Sequence, residues 1–147
     1  MNIHLYLMLI TLLPWVECRG SIPVAVAMNA SFLDYLLMFF SNVLIFPVTF
    51  FLLEFLYNDF FSKFSFFRKI VKRVRKRGEP KIRKYEYLGL TFFVAVPLPF
   101  TGMYSGAILS WILHLDFKKS FLYASIGELF AFLLVLLISN GLKLVLV

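Results

Sequence analysis

From Tyr35 to Tyr57 the chain carries one charged side chain, Glu54, and from Phe121 to its last residue it carries two, Glu128 and Lys143. About 20 helical residues at 1.5 Å each cross a hydrocarbon core of about 30 Å, so each stretch is long and apolar enough to span a membrane. Composition agrees. Of 147 residues, 61% are hydrophobic, against about 45–50% in a soluble domain. A soluble domain of this size buries only about 70% of the surface its chain exposes, so lipid must solvate most of these side chains. The expected fold class is all-α: a polytopic integral membrane protein.

Two further apolar segments, 3–33 and 88–115, are each interrupted by polar, Gly- or Pro-containing residues: Glu17-Cys18-Arg19-Gly20 with Pro23 in the first, and Pro97 to Gly102 in the second. Each arm of roughly 10–14 residues reaches only about 15–21 Å, short of a full crossing. Two readings compete, a single kinked span or a re-entrant hairpin. Charge placement chooses between them. Most of the 15 Lys and Arg residues lie in 63–84, opposed there only by Glu79, and Lys118 and Lys119 follow the second interrupted segment directly. Basic loops face the cytoplasm. All of these residues lie on one face only if 88–115 turns back. The expectation is an inverted repeat of hairpin plus span, as in many transporters: residues 1–57 (hairpin 3–33, span 35–57), a basic cytoplasmic loop 58–87, and residues 88–147 (hairpin 88–115, span 120–147) in a plasma membrane. Within the loop, Phe64, Phe67, Ile70, Val71 and Val74 recur at helical spacing among basic residues, which reads as an amphipathic helix on the anionic inner leaflet. A run so basic between apolar spans points to lipid rather than to nucleic acid.

Cys18 is the only cysteine, and with two histidines the chain offers no disulfide and little for a metal. No nucleophile–base pair or phosphate loop is evident, so neither an enzyme nor a cofactor is expected. The apolar run 3–16 has the length of a signal peptide, but no Lys or Arg precedes it and no small-x-small cleavage site follows.

Ionisable groups at membrane depth cost several kcal/mol unless paired or wet, and so mark function. Glu17 and Arg19 are therefore the first candidates. The arm after their break is expected to begin near Ser21 to Pro23, aiming helix-start amides and Arg19 at an anion. The bland alternative is that the pair lies at an interface and merely neutralises itself. In the second break Pro97 and Pro99 end one arm, and Thr101 is expected to cap the next. Gly102 and Gly106 form a G-x-x-x-G pair suited to helix packing. Glu128 falls inside the hydrocarbon, as a second proton-carrying group beside Glu17 or as the partner of Arg19. Glu54 and Glu86 read as interfacial.

These residues carry a resemblance. Pro14 to Pro23 (PWVECRGSIP) resembles the E-x-R-G-x-I-P signature of the small multidrug export protein family, and Ala95 to Ala107 (AVPLPFTGMYSGA) resembles its second, a P-L-P-x-T-G run followed by small residues. Cys18 stands where that family tends to an aliphatic residue, Phe100 where glycine is common, and Glu128 at a position usually apolar or small. The family is similar in turn to the DedA and SNARE-associated membrane proteins, which implies re-entrant hairpins and a link to lipid-phosphate translocation. The resemblance implies a membrane exporter. Its binding site would take in Glu17, Arg19, Gly20, Pro23, Pro97, Pro99, Thr101 and Gly102, with protons carried by Glu17 and Glu128. The substrate would be a small amphiphile or an anionic lipid phosphate, and the working unit a possible homodimer. The competing expectation is a non-transporting subunit of a larger membrane complex.

Overall fold

The computed structural model describes residues 3–14, 16–59, 83–98 and 101–146. Among these residues every regular element is an α-helix: α1 (Ile3–Thr11), α2 (Glu17–Ala27), α3 (Phe32–Asp59), α4 (Arg83–Ala95), α5 (Met103–Ile112) and α6 (Phe117–Leu146). Two of them, over Phe32–Tyr57 and Phe117–Val145, are long and apolar enough to cross a bilayer. Both start about three residues before the spans read from the sequence, because each is opened by a cap the hydropathy pattern does not register. The Ser31 N–H and hydroxyl donate to Asp34 Oδ2, each at 2.8 Å, and the Lys119 N–H donates to Asp116 Oδ1 at 3.0 Å. Residues 60–82 of the expected basic loop, with its expected amphipathic helix, lie outside the described residues, as do Pro99 and Phe100, and the last loop residues, 83–87, are instead the first turns of α4.

The order short, short, long occurs twice, and the turns before the two long helices share one geometry. Asn29 and His114 both adopt left-handed backbone, at φ 53° and 55°. In each turn the next amide bonds five residues back, Ala30 to the Ala25 carbonyl and Leu115 to the Ser110 carbonyl. This is the Schellman ending that stops a helix sharply. A cap residue follows two positions later in each case, Ser31 and Asp116.

The long helices run antiparallel. At one end of the bundle Lys143 Nζ, near the end of α6, donates to the Val26 carbonyl and Asn29 Oδ1 at the close of α2. At the other end Trp111 Nε1, near the end of α5, donates to Glu54 Oε2 of α3 at 2.7 Å. There too the Asp116 N–H donates to the Tyr87 hydroxyl at 3.1 Å. The segment from Tyr87 to Asp116 thus leaves one end of the bundle and returns to it. In the first half α1 lies back along α2, with the Thr11 hydroxyl donating to Ser21 Oγ at 2.9 Å.

Each short hairpin packs on both long helices, and α2 and α5 each contact the long helix of the other half. Two apolar cores result. Leu7, Cys18, Ile22, Ala25, Val26 and Met38 close on Phe132 and Val135. Ile45, Phe46, Leu90, Val94, Met103, Ala107 and Ala124 form the second. Along α3 the cores are separated by Asn42, and along α6 by Glu128, both fully buried. A polar layer therefore crosses the middle of the molecule. Where α4 meets α6, Gly127 lies so close that an added Cβ would come 2.5 Å from the Thr91 carbonyl oxygen. The outward faces carry Phe40, Leu44, Val48, Phe55, Phe92 and Leu137 exposed, as a lipid-facing surface would.

Candidate functional site

The first interruption is not where the Gly and Pro residues suggest. α2 starts at Glu17 and continues through Arg19, Gly20 and Pro23, so the expected helix start near Ser21 to Pro23 is corrected. The break lies upstream, between the end of α1 at Thr11 and the start of α2 at Glu17. Pro23 lies inside α2, where it removes the bond to the carbonyl four residues back, a loss membrane helices tolerate when neighbouring groups satisfy the freed carbonyl. Gly20 makes room for Val16, whose Cγ1 would lie 2.6 Å from an added Cβ. Glu17 enters the helix with φ 45°, a left-handed conformation that side-chain-bearing residues rarely take.

That entry aims Glu17 across the molecule at the second break. Its carboxylate lies against the Cα of Gly102, where any Cβ would overlap it. It accepts from the backbone amides of Met103 and Tyr104, the latter at 3.5 Å. The helix N-terminus facing the ionic pair is thus that of α5, not α2, and a carboxylate of the chain itself occupies it. Arg19, one turn-half further on, reaches the other side of the same break. Its Nη2 donates to the Val94 carbonyl at 2.6 Å, and its Nη1 to Glu17 Oε2 at 3.1 Å. The Val94 carbonyl is one that α4 leaves free, since the Leu98 amide bonds Val96 instead. A cation therefore sits on the carbonyl end of α4 and an anion on the amide end of α5, each matching the helix dipole it meets. The pair does neutralise itself, as the bland reading held, but it is nearly buried, with Arg19 and Glu17 side chains 13% and 8% exposed.

Other expectations change. Thr101 does not cap α5. Its hydroxyl donates to the Val96 and Leu98 carbonyls at 2.7 and 2.9 Å and ties the break itself. The cap is Ser105, whose Oγ accepts the Gly102 N–H at 2.8 Å. The two glycines part company. Gly102 admits Glu17, while Gly106 packs inside the chain against Val94, Leu90 and Phe46. Tyr104 ties the two breaks together by donating from its hydroxyl to the Leu12 carbonyl at 2.7 Å. Glu54 sits at the end of its helix as expected.

Glu128 is not the ion-pair partner of Arg19, which Glu17 takes. It is held by Asn42, whose Nδ2 donates to Glu128 Oε1 at 2.6 Å, although the charges of Arg19 and Glu17 both act on it. Cys18 lies beside this pair, with its Sγ donating to the Met38 carbonyl at 3.7 Å. Three buried atoms in this layer have no partner in the protein: Arg19 Nε, Asn42 Oδ1 and Glu128 Oε2. Among the described residues no group of three or more His, Cys, Asp or Glu is placed to hold a metal ion.

Of the residues singled out from the sequence, Glu17, Arg19 and Gly102 meet directly, and Glu128 joins them through the same polar layer. Pro23 and Pro97 instead line a groove beside it, Gly20 is a packing residue, and Pro99 lies outside the described residues. Asn42 and the Val94 carbonyl were not legible as site components. One is a neutral amide in the middle of a span, and the other is backbone.

Comparison with known proteins places this arrangement. No curated protein sequence and no solved structure matches the chain, and nothing in the comparisons supports kinship with DedA-like proteins. The profile of one family, described as "Putative small multi-drug export protein", matches residues 17–134, starting at Glu17 and taking in the ion pair, the second break, the polar layer and most of α6. The chain belongs to the small multi-drug export protein family, and is a helical membrane protein of that family.

Proposed function

We propose that this protein exports small amphiphilic molecules across the plasma membrane, with the Glu17–Arg19 bridge as the centre of its pathway. The observation that carries the reading is that two chain breaks from opposite halves meet at one ion pair inside a helical membrane protein. Non-helical backbone at membrane depth is tolerated only when buried in protein or lining a water-filled cavity. Buried ionisable residues there mark transport pathways and proton relays.

In this reading the two hairpins are re-entrant and enter from opposite faces, and the halves form an inverted repeat. The antiparallel long helices and the shared turn geometry support this, as do the matched helix contacts. The basic loop 63–84 and Lys118–Lys119 face the cytoplasm, and Asn29 and Lys143 the outside. Glu17 is the coupling group. A proton on it weakens its hold on Arg19 and on the α5 amides, which frees the joint between the halves to move. Glu128 serves as the second proton carrier through the layer it shares with Asn42. The subunit alternative gains nothing from the G-x-x-x-G pair, because Gly106 is used for packing within the chain.

The test is reconstitution. In a Cys18→Ala background, single cysteines at positions 32, 76 and 118 are labelled with a membrane-impermeant maleimide. Position 32 should react from outside, and positions 76 and 118 from inside. Sealed vesicles holding the protein should then lose a preloaded fluorescent amphiphile faster than empty vesicles when a pH gradient is imposed. Labelling of 76 and 118 from opposite faces would sink the topology, and efflux no faster than from empty vesicles would sink the export reading.

A further inference from the structure

We infer that the groove between α2 and α6 is a binding site for an acidic single-chain amphiphile drawn from the surrounding bilayer, with Lys143 as the anchor for its head. This deepens the export reading and rests on it for the claim that the ligand is transported, though not for the claim that it binds.

The groove has a volume of about 460 Å³ and is lined by Pro23, Val26, Pro97, Val135, Ile138 and Lys143 among others. That is within the ~300–1,000 Å³ of small-molecule sites. Its wall is apolar apart from Ser139 and, one turn further along α6, Lys143, the only charged residue that lines it. An ammonium has three N–H donors. Two are used, on the Val26 carbonyl at 2.9 Å and on Asn29 Oδ1 at 2.5 Å. Both acceptors are neutral, and no carboxylate among the described residues pairs with this lysine. One donor and a whole positive charge remain. The carbonyl end of α2 opposes an anion there by about half a charge, which the lysine exceeds.

The dimensions suit a lipid chain. From Lys143 to Val135 along α6 is about 12 Å at 1.5 Å per residue, close to half of a hydrocarbon core about 30 Å thick. A head held at Lys143 thus lays its chain to the level of Pro97, three residues beyond the Val94 carbonyl that Arg19 grips. The groove would deliver an amphiphile from one leaflet to the edge of the polar layer.

The protein supplies its own comparison. A second groove on α6, about 600 Å³ and lined by Leu88, Thr91, Phe92, Phe130, Leu133 and Leu137, is as large and as apolar but has no charged side chain. It can accept a chain without preferring a head.

The experiment measures binding separately from transport. Protein in phosphatidylcholine nanodiscs, with Cys18→Ala and a fluorophore on a cysteine at Ile138 or at Leu133, is titrated with brominated-chain lysophosphatidylglycerol or lysophosphatidylcholine. At position 138 the acidic lipid should quench at a concentration at least tenfold lower than the zwitterionic one. Lys143→Gln should abolish that preference and Lys143→Arg keep it, and position 133 should show none. Equal quenching by both lipids at 138, or a preference that survives Lys143→Gln, overturns the inference. Absence of efflux with the preference intact would count against export and leave the groove standing. Glu17-dependent efflux without the preference would do the reverse.

Discussion

Replacing Arg19 by methionine removes the cation while keeping most of the side-chain volume, and the structure says what is left behind. Glu17 keeps its contacts to the α5 amides, the Tyr104 N–H being 3.5 Å away, and the Val94 carbonyl loses its 2.6 Å donor. Breaking one side of a buried ion pair costs about 3–5 kcal/mol, mostly because the remaining charge is stranded. Adding Glu17→Gln removes that charge. The double variant should then retain only the cost of the orphaned carbonyl, about 1–3 kcal/mol. The two substitutions should thus be strongly non-additive, with a coupling of at least about 2 kcal/mol. Reversible unfolding in mixed micelles, followed by tryptophan fluorescence for the four members of the cycle, reads this directly. Single effects that add within about 0.5 kcal/mol, the level expected of independent sites, would refute the bridge.

Further outcomes follow from close approaches. Gly102→Ala places a Cβ on the Glu17 carboxylate, so the pair must separate; efflux should fall at least tenfold while Gly89→Ala and Gly141→Ala, with nothing within 4 Å of the added atom, stay near wild type. Gly127→Ala pushes α6 off the α4 backbone and should cost about 1–3 kcal/mol as overpacking does, seen as a lower unfolding midpoint. Asn42→Leu strips Glu128 of its 2.6 Å donor and should destabilise by about 1–3 kcal/mol, a loss that Glu128→Leu in the same chain reduces.

The two spans were legible in the sequence because a bilayer imposes length and apolarity, whatever the packing. The Glu17–Arg19 pair was legible because charge at that depth is rare. The start of α2 was not. Gly20 and Pro23 read as a break, yet a proline in a membrane helix frees only one carbonyl, and what ends α1 is the turn through Pro14. Thr101 reads as a cap because threonine is a common one, but Ser105 is placed to accept the Gly102 amide and Thr101 is not. The use of Gly102 was hidden for a different reason: a glycine that admits a side chain from 85 positions earlier in the chain has no local signature. Asn42, the Val94 carbonyl and Lys143 matter only through partners brought from the other half of the molecule, which spacing along the chain cannot disclose.

The central claim is that the ion pair joining the two breaks is where transport happens. Efflux of a fluorescent amphiphile from vesicles of equal protein content, compared among wild type, Glu17→Gln, Arg19→Gln and Glu54→Gln, tests it most directly, with correct folding checked by gel filtration. At least a tenfold loss is expected for the first two variants and near wild-type rates for Glu54→Gln, whose side chain lies near the end of α3 beside Trp111. Wild-type rates in well-folded Glu17→Gln and Arg19→Gln would contradict it.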